Sequence, residues 1–440
     1  MKKLDIEGYE QRAIAYMDED GFPAAVPAQV EVQGEEVIVR PAKGVSIACL
    51  AGKKVNVVLN HIRPLPSGGY ADRSYVVLVG VAETEERALT LRSWKAYGWS
   101  EARKPFPEYV EVSTHRARTY LRQLGKRLGV DFKPRIGALW TFMRVLRFPF
   151  LSAMAASVAV GAAIALYKGL FSLSLTLLTF LGLALLHLAL NVANDYFDTL
   201  LGADTANTRP TPFSGGSRSI IYGLVSVTGA KQLYLSLFAL GSAIGVYLAW
   251  SRGLLEIIAL GLTGLFLAYF YTAPPLKLSY RGLGELAVAI GFGPLVVLGT
   301  YLVQARAFSP EVLAASLPTG VLIALILYVN EIPDAPFDRA AGKRQLVARL
   351  SKDEALRLLV ALFAFAYTSM ALLPFLGLGP PTAWMGLLTT PLAALVYRRA
   401  RESFEDQYAM IPIMALNIKN SILTCLLLAA GYALWPLLGA

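Results

Sequence analysis

Long apolar runs dominate the chain from Phe148 onward and restrict its fold more than any other feature. A helix needs about 20 residues to cross the apolar core of a bilayer, and most of these runs are close to that length. Inside a membrane the segment itself must satisfy its backbone polar groups, which favours helices. The sequence therefore predicts an all-α polytopic membrane protein with about nine transmembrane helices. The expected spans are residues 148–167, 171–192, 233–250, 254–273, 284–304, 311–329, 355–378, 382–397 (a short one) and 420–438.

The composition excludes several other classes of protein. A hydrophobic share of 55% and a mean hydropathy of +0.50 are too apolar for an ordinary soluble chain. Two cysteines give no disulfide framework, and three histidines do not build a convincing zinc site. The formal charge of +10 collects in short loops between apolar runs, which indicates membrane topology and not nucleic-acid binding. The charged N-terminus lacks the apolar run that follows such charges in a signal peptide.

Basic residues predict how the spans are oriented. Arg144 and Arg147 precede the first run, and other basic clusters follow the even-numbered runs, such as Lys277 and Arg281 after the fourth. Cytoplasmic loops of membrane proteins are enriched in Lys and Arg. We therefore expect a multi-pass protein of the cell membrane whose N-terminal region is cytoplasmic and whose C-terminus is outside.

Two Asp-rich segments follow the second and sixth runs, on the expected cytoplasmic side. They are Asn194-Asp195-Tyr196-Phe197-Asp198 with Asp204 beyond it, and Asp334-Ala335-Pro336-Phe337-Asp338. Carboxylates at a membrane boundary are costly unless a cation holds them. Residues three or four apart share one face of a helix, so each segment can direct two or three oxygens to one place. Mg²⁺ suits such clusters, because it takes a couple of carboxylates together with phosphate oxygens and water. The segments predict a metal and diphosphate site.

The segment from Asn194 to Asp204 resembles the first Asp-rich motif of the UbiA-type intramembrane prenyltransferases, and the segment from Asn330 to Arg344 resembles the second. This resemblance covers nearly everything after Phe148. Within the superfamily, the string YTAPPLKLSYRGLGE and the Gly342-Lys343 pair look most like the menaquinone branch, the 1,4-dihydroxy-2-naphthoate polyprenyltransferases. The resemblance implies Mg²⁺-dependent transfer of an isoprenyl chain from a polyprenyl diphosphate to an aromatic quinone precursor, which loses its carboxyl group.

The chemistry of such a transfer gives these residues roles. Ionisation of an allylic diphosphate separates a carbocation from a highly charged leaving group, which metal ions and basic side chains stabilise. The expected metal ligands are Asp195, Asp198, Asp204, Asp334 and Asp338. The expected diphosphate-binding residues are Asn194, Arg209, Arg218, Lys277, Asn330 and Lys343. The expected catalytic residues are Asp195, Asp198, Asp334, Asp338, Lys277 and Tyr271, and the aromatic faces offered to the cation are Tyr271, Tyr196 or Phe337.

One departure from the menaquinone branch concerns the acceptor. That branch usually has Asn-Asn followed by a basic residue and Asp, whereas this chain has Asn330-Glu331-Ile332-Pro333-Asp334. An acid replaces one Asn, and the basic residue is lost. The acceptor therefore stays open, with 4-hydroxybenzoate, homogentisate and a glyceryl phosphate ether lipid as alternatives to the dihydroxynaphthoate ring.

Two functions of other classes compete with prenyl transfer. A membrane transporter also has many spans and intramembrane acids, but it does not need two paired-acid loops beside basic residues on one face. A non-catalytic, flavin-linked sensor would have lost key acids of the membrane part. All of these acids are present in the sequence.

The first 125 residues predict a separate cytoplasmic domain. The β-rich runs 13–17, 24–32, 37–40, 55–59 and 75–82 are separated by turn signals and precede a helix near residues 116–128. We expect a small β-barrel with a C-terminal helix. Residues 126–147 would then form a basic linker along the membrane face, and residues 148–440 the intramembrane domain.

Short motifs in this first domain resemble those of FMN-binding split barrels related to pyridoxamine 5′-phosphate oxidase. They begin at Asp20-Gly21-Phe22-Pro23 and continue through Arg40 and its neighbours. The resemblance implies that FMN is a cofactor whose phosphate is held by Arg40, Lys43 and Ser46. A barrel that lost its cofactor and serves as a scaffold is an equal alternative.

Overall fold

The computed structural model describes residues 6–17, 23–34, 36–42, 50–64, 70–85, 88–103, 129, 138–206, 211, 213–221, 223–340 and 342–438. Within it the chain splits into two compact units, Met1–Ser113 and Thr114–Ala440. The first unit contains a β-barrel, and the second is a bundle of helices.

Six antiparallel strands form a closed barrel in the first unit. In order around the barrel they are β1 (Gln11–Met17), β2 (Pro23–Gln33), β3 (Glu36–Pro41), β6 (Ala88–Ser100), β5 (Tyr70–Glu85) and β4 (Lys54–Pro64). Alternate side chains point inward, so Val37 and Val39 of β3 and Leu89 and Leu91 of β6 are fully buried. Apolar side chains from all six strands fill the interior. The predicted small β-barrel is confirmed.

The strand β6 was missed by the sequence prediction. Only its first residues are buried, and most of those after Leu91 are exposed, so the strand has no sustained alternation of apolar and polar residues. Backbone pairing with both β3 and β5 holds it in place instead. The helix expected near residues 116–128 and the turn at Asp20-Gly21 lie outside the described residues.

In the second unit, seven helices among the described residues are long and apolar enough to cross a membrane. They are α1 (Phe148–Tyr167), α2 (Leu173–Leu201), α3 (Val227–Arg252), α5 (Gly284–Ala305), α6 (Pro310–Glu331), α7 (Lys352–Phe375) and α9 (Ile411–Leu438). Two shorter helices are α4 (Leu255–Phe270) and α8 (Thr390–Ser403). The remaining α-helices among the described residues have eight residues or fewer: Ala138–Val145, Ala203–Ala206, Ala335–Ala340 and Leu346–Arg349.

The predicted polytopic helical fold is confirmed, with differences in the count and bounds of the spans. Each of the nine predicted spans overlaps one of these helices. Among the described residues, however, seven helices are long and apolar enough to cross a membrane. α4 is too short, and α8 ends in the charged sequence RRARES. α2 runs past its predicted end at Val192 to Leu201, so Asp195 and Asp198 belong to the helix itself.

Local sequence signals fix several helix ends. The side chain of Ser226 accepts a hydrogen bond from a backbone N–H at the start of α3, and Ser351 forms a reciprocal capping pair with Glu354 at the start of α7. Gly202 and Gly253, both left-handed, end α2 and α3. The turn at Gly202 separates α2 from the short helix Ala203–Ala206, which carries Asp204.

Of the seven spans, α6 is the most enclosed, because 72% of its apolar 18-residue stretch is buried inside the bundle. It meets α5 where two glycines face each other. A Cβ built on Gly320 would lie 2.2 Å from the carbonyl oxygen of Ala289, and one on Gly293 would lie 2.6 Å from that of Ser316. Small residues allow such close backbone contact between membrane helices. The contact fixes the position of α6, whose C-terminal end precedes the second Asp-rich segment.

We predict that Gly320→Ala destabilises the bundle. Its new methyl group would meet backbone atoms of α5, which do not move as easily as a side chain, so a loss of about 1–3 kcal/mol is expected. The matched control is Gly261→Ala in α4, where a Cβ would have nothing within 4 Å. The measurement is thermal stability in detergent by fluorescence-detected size-exclusion chromatography. Equal melting temperatures for the two variants would contradict the close contact.

Candidate active site

Both Asp-rich segments face one cavity of about 180 Å³ in the helical unit. Asp198 reaches it from the last turns of α2, and Asp204 from the short helix that follows. The second segment follows the end of α6. The carboxylate side chains that line the cavity are Asp198, Asp204, Glu331, Asp334 and Asp338. The helical bundle thus brings together acids that are far apart in the sequence.

Asp198 is bonded to two side chains that come from distant parts of the chain. Its Oδ2 accepts a hydrogen bond from the Nζ of Lys343 at 3.0 Å, and its Oδ1 accepts one from the hydroxyl of Tyr280 at 2.8 Å. Burial lowers the pKa of Lys343, but the carboxylates of Asp198 and Asp338 more than offset this and hold it well above its usual range. Lys343 is therefore a permanently charged ammonium group between the two Asp-rich segments.

A glycine-rich turn, residues 213–218, joins the two segments by backbone donors. The N–H of Gly215 donates to Asp334 Oδ2 at 2.8 Å, and the N–H of Ser217 donates to Asp195 Oδ1 at 3.1 Å. Gly216 lies between these donors with a positive φ of 71°. Successive backbone N–H groups in such turns form anion-binding surfaces. Here these N–H groups partly offset the negative charge of the Asp334 and Asp195 carboxylates.

Gly216 lies against two carboxylates. A Cβ at this position would be 2.8 Å from Asp204 Oδ1 and 3.1 Å from Asp195 Oδ1. The side chains of Asp204 and Asp195 therefore approach each other at this turn, and a larger residue in place of Gly216 would displace them.

The ionisation of the acids reflects their burial. Burial and the neighbouring charges of Asp198 and Asp195 raise the pKa of Asp204 well above its usual range. Burial raises the pKa of Asp338 to about 7, although the ammonium of Lys343 opposes the shift. Carboxylates in such surroundings ionise fully only when further positive charge is present. Among the described residues that line the cavity, five acids are accompanied by two basic side chains that carry a charge, Arg147 and Lys343.

The carboxylates have the chemistry of a magnesium site completed by a ligand. Among the described residues, no group of three or more acids, histidines or cysteines gathers tightly enough to hold an ion alone. Mg²⁺ usually takes one or two carboxylates and fills its remaining positions with phosphate oxygens and water. The pairing of Asp195 with Asp204 around Gly216, facing Asp334 and Asp338, fits that pattern.

An apolar chamber of about 170 Å³ adjoins the polar cavity. Side chains of α2, α3, α4 and α5 enclose it, with Leu186, Leu260 and Leu295 on its walls. The chamber and the polar cavity share five lining residues: His187, Leu190, Tyr271, Val288 and Phe292. A molecule with a charged head and a long apolar tail would fit the two spaces together.

The remaining predicted residues take different places. Tyr271, Asn194 and Asn330 line the polar cavity, and Asn194 accepts a hydrogen bond from the Thr272 hydroxyl at 2.6 Å. Tyr196 instead packs against Tyr234, with ring centroids 5.5 Å apart. Phe337, half-buried, is not among the residues that line the cavity. Of the three aromatic faces considered, Tyr271 is the one at the cavity.

Of the predicted basic residues, some line the cavity and others do not. Lys343 lines the cavity, whereas Lys277 precedes the 3₁₀ turn Leu278–Arg281 with its Nζ 5.7 Å from the ring centre of Tyr280. Arg218 is the last residue of the glycine-rich turn, has a left-handed backbone, and its positive charge acts on Asp204. Arg209 lies outside the described residues.

Sequence reasoning missed several residues of the site. Arg147, interpreted only as a topology signal, lines the cavity with its Nη1 3.9 Å from Asp195 Oδ1. Tyr280 binds Asp198, and its only sequence signal was its position three residues after Lys277. Gln345 also lines the cavity, two residues after Lys343. Each of these residues belongs to a loop next to a recognised motif, but the sequence around it does not show that its side chain points into the cavity.

The flavin prediction gains no support from the barrel. The Nη1 of Arg40, which was expected to hold a phosphate, pairs with Glu31 Oε1 at 2.5 Å. Lys43 and Ser46 lie outside the described residues. Apolar side chains fill the core of the barrel.

Several known proteins are similar to this chain in sequence. The 1,4-dihydroxy-2-naphthoate octaprenyltransferase of Escherichia coli (strain K12) is 28% identical over 309 residues, which cover 68% of this chain and 96% of that protein. The enzyme of the same name from Mycobacterium tuberculosis (strain ATCC 25618 / H37Rv) is 32% identical over 212 residues, 47% of this chain and 67% of that protein.

A solved UbiA homolog from Archaeoglobus fulgidus, bound to GPP and Mg²⁺, has a TM-score of 0.46 at 17% identity and covers 66% of this chain and 99% of that one. A family model named UbiA prenyltransferase family matches residues 154–418, more than half of the chain, and includes α2 to α8 with both Asp-rich segments. The chain therefore belongs to the UbiA prenyltransferase family.

Proposed function

We propose that this prenyltransferase joins the isoprenyl chain of a polyprenyl diphosphate to a hydroxylated aromatic ring, 1,4-dihydroxy-2-naphthoate or a similar quinone precursor. The observation that carries the proposal is the polar cavity of acids and bases that adjoins an apolar chamber at Tyr271 and Phe292. A diphosphate head and an isoprenyl tail match these two spaces. The names of the relatives from Escherichia coli and Mycobacterium tuberculosis support the choice of acceptor.

We assign the metal site to the two Asp-rich segments. Asp195, Asp198 and Asp204 would hold Mg²⁺ from one side, and Asp334 and Asp338 from the other. Bound there, Mg²⁺ would neutralise the diphosphate and make it a better leaving group. The cavity that both segments share and the close approach of Asp204 and Asp195 at Gly216 support this assignment.

The chain's own residues would then direct the ionisation. As the bond between isoprenyl C1 and oxygen breaks, its electron pair leaves with the diphosphate, and the charges of Lys343 and Arg147 stabilise the product. The aromatic faces of Tyr271 and Phe292, where the two spaces meet, would stabilise the allylic cation by about 1–2 kcal/mol. The apolar chamber excludes water, which would otherwise capture the cation. A carbon of the aromatic ring then forms the new C–C bond.

The orientation in the membrane is also a proposal. The basic residues before α1 and after the even-numbered spans support a cytoplasmic N-terminal unit and active-site face, with the C-terminus outside. Such an orientation would let the site take a water-soluble aromatic acid from the cytoplasm and the isoprenyl chain from the bilayer.

The acceptor is tested with purified protein in detergent, Mg²⁺ and a labelled prenyl diphosphate. The acceptors compared are 1,4-dihydroxy-2-naphthoate, 4-hydroxybenzoate, homogentisate and a glyceryl phosphate ether lipid. Prenylation of the naphthoate, with release of pyrophosphate and CO₂, is the expected result. Exclusive transfer to the phosphate-bearing lipid would overturn the proposed acceptor class.

We predict that Asp198→Asn and Asp338→Asn each abolish most activity in excess Mg²⁺. Both segments contribute to one site, so neither should replace the other. Loss of one ligand that stabilises the charged leaving group is expected to cost about 100-fold or more in kcat. Asp353→Asn, at an exposed position in the first turn of α7, is the matched control and should keep normal turnover. Near-normal turnover in either cavity variant would refute a shared metal site.

We predict that Lys343→Met lowers kcat/KM for the prenyl diphosphate by about thirty- to a thousand-fold, equivalent to about 2–4 kcal/mol of lost charge stabilisation. The proposed contact between Lys277 and the diphosphate predicts a similar loss for Lys277→Gln. Lys231→Met, on the exposed face of α3, serves as the control. If Lys277→Gln keeps more than about a third of normal kcat/KM, Lys277 is not a ligand. If Lys343→Met also keeps more than about a third of normal kcat/KM, Lys343 does not stabilise the diphosphate in the transition state.

A further inference from the structure

Tyr280 holds a carboxylate of the first Asp-rich segment from outside the polar cavity. It belongs to the 3₁₀ turn Leu278–Arg281, is half-buried, and is not among the residues that line the cavity. Its hydroxyl donates to Asp198 Oδ1 at 2.8 Å, while the Nζ of Lys343 donates to the other oxygen, Oδ2, at 3.0 Å. Donors from two different loops therefore hold both carboxylate oxygens of Asp198.

The aromatic ring of Tyr280 lies close to two ammonium groups. The Nζ of Lys343 is 5.4 Å from the ring centre, and the Nζ of Lys277 is 5.7 Å from it. Both distances are within the range in which a cation is attracted to the face of an aromatic ring. One side chain thus contacts Asp198 through its hydroxyl and the cationic partner of Asp198 through its ring.

Backbone hydrogen bonds fix the turn that carries Tyr280. Its N–H donates to the carbonyl oxygen of Lys277 at 2.9 Å, and its own carbonyl oxygen accepts the N–H of Arg344 at 3.1 Å. The side chain of Arg349 bridges the same two loops, because its Nε donates to Arg344 O at 2.9 Å and its Nη2 to Arg281 O at 2.6 Å. The loop after α4 is therefore anchored to the loop that follows the second Asp-rich segment.

An anchored donor is important because a carboxylate must be oriented to bind a metal ion. The two oxygens of an ionised carboxylate have about four lone pairs in all, so Asp198 can accept bonds from Tyr280 and Lys343 and still offer a lone pair to a cation. Groups that hydrogen-bond a ligating carboxylate fix its orientation, and their loss typically costs about 10–100-fold in metal affinity or activity. The hydroxyl of Tyr280 brings no charge, so it orients this carboxylate without neutralising it.

We propose that Tyr280 is a positioning residue that orients the carboxylate of Asp198 for Mg²⁺ and joins the loop after α4 to both Asp-rich segments. The inference rests on the proposed function, since the assignment of Mg²⁺ to Asp198 is part of it. Tyr280 acts through Asp198 and takes no part in proton transfer. Its removal should therefore change the requirement for the metal more than the rate of the metal-saturated enzyme.

Tyr280→Phe tests this role because it removes the hydroxyl and keeps the ring. We expect the Mg²⁺ concentration for half-maximal turnover to rise about tenfold or more, while kcat at saturating Mg²⁺ stays within about threefold of wild type. The matched control is Tyr432→Phe, which removes a hydroxyl that donates to Leu378 O at 2.9 Å outside the cavity and should leave the Mg²⁺ dependence unchanged. A wild-type Mg²⁺ dependence in Tyr280→Phe would overturn the inference, and so would a loss of kcat that excess Mg²⁺ does not restore.

A binding measurement tests the same contact without turnover. Ligands that bind only the folded protein raise its melting temperature as their concentration increases, so MgCl₂ is titrated in detergent at a fixed concentration of inorganic pyrophosphate. Tyr280→Phe should need about tenfold more Mg²⁺ than wild type or Tyr432→Phe for the same rise. Coincident titrations of Tyr280→Phe and wild type would overturn the positioning role alone. A wild-type protein that needs no Mg²⁺ for turnover would instead overturn the metal site of the proposed function.

Discussion

The burial of carboxylates at the ends of membrane helices is the constraint on which the rest of this structure depends. Among the described residues that line the polar cavity there are five acids and two cationic side chains, Arg147 and Lys343. Ionised acids in such a place are destabilising unless cations or donors surround them. The backbone donors of Gly215 and Ser217 and the ammonium of Lys343 compensate only part of this charge. A fold that accepts this cost is one whose ligand brings positive charge with it.

Close contacts at glycines set where the helices of the bundle place these acids. Gly293 and Gly320 let α5 and α6 approach until backbone meets backbone, which brings Glu285 and Glu331 together at the same end of the bundle. At Gly216, an added methyl group would meet the side-chain oxygens of Asp204 and Asp195. At Gly293 or Gly320 it would meet backbone atoms of the facing helix and push α5 and α6 apart. Local backbone geometry and the electrostatics of the cavity are therefore coupled.

The sequence predicted those features that depend on local patterns. Apolar length located the spans, and the spacing of acids located both Asp-rich segments. It did not show which basic side chain meets them, because Lys343 and Asp198 are 145 positions apart and only the packed bundle joins them. For the same reason Arg147 was interpreted as a topology signal and β6 was missed, since pairing with two other strands fixes it. Contacts between distant segments leave no local signal.

Charge also governs how the proposed substrate would enter the cavity. A diphosphate that entered alone would add negative charge to the acids beside Lys343, so divalent cations that offset both sets of charges would have to enter with it. Metal binding and diphosphate binding would then depend on each other, because each supplies the charge that the other needs in the cavity.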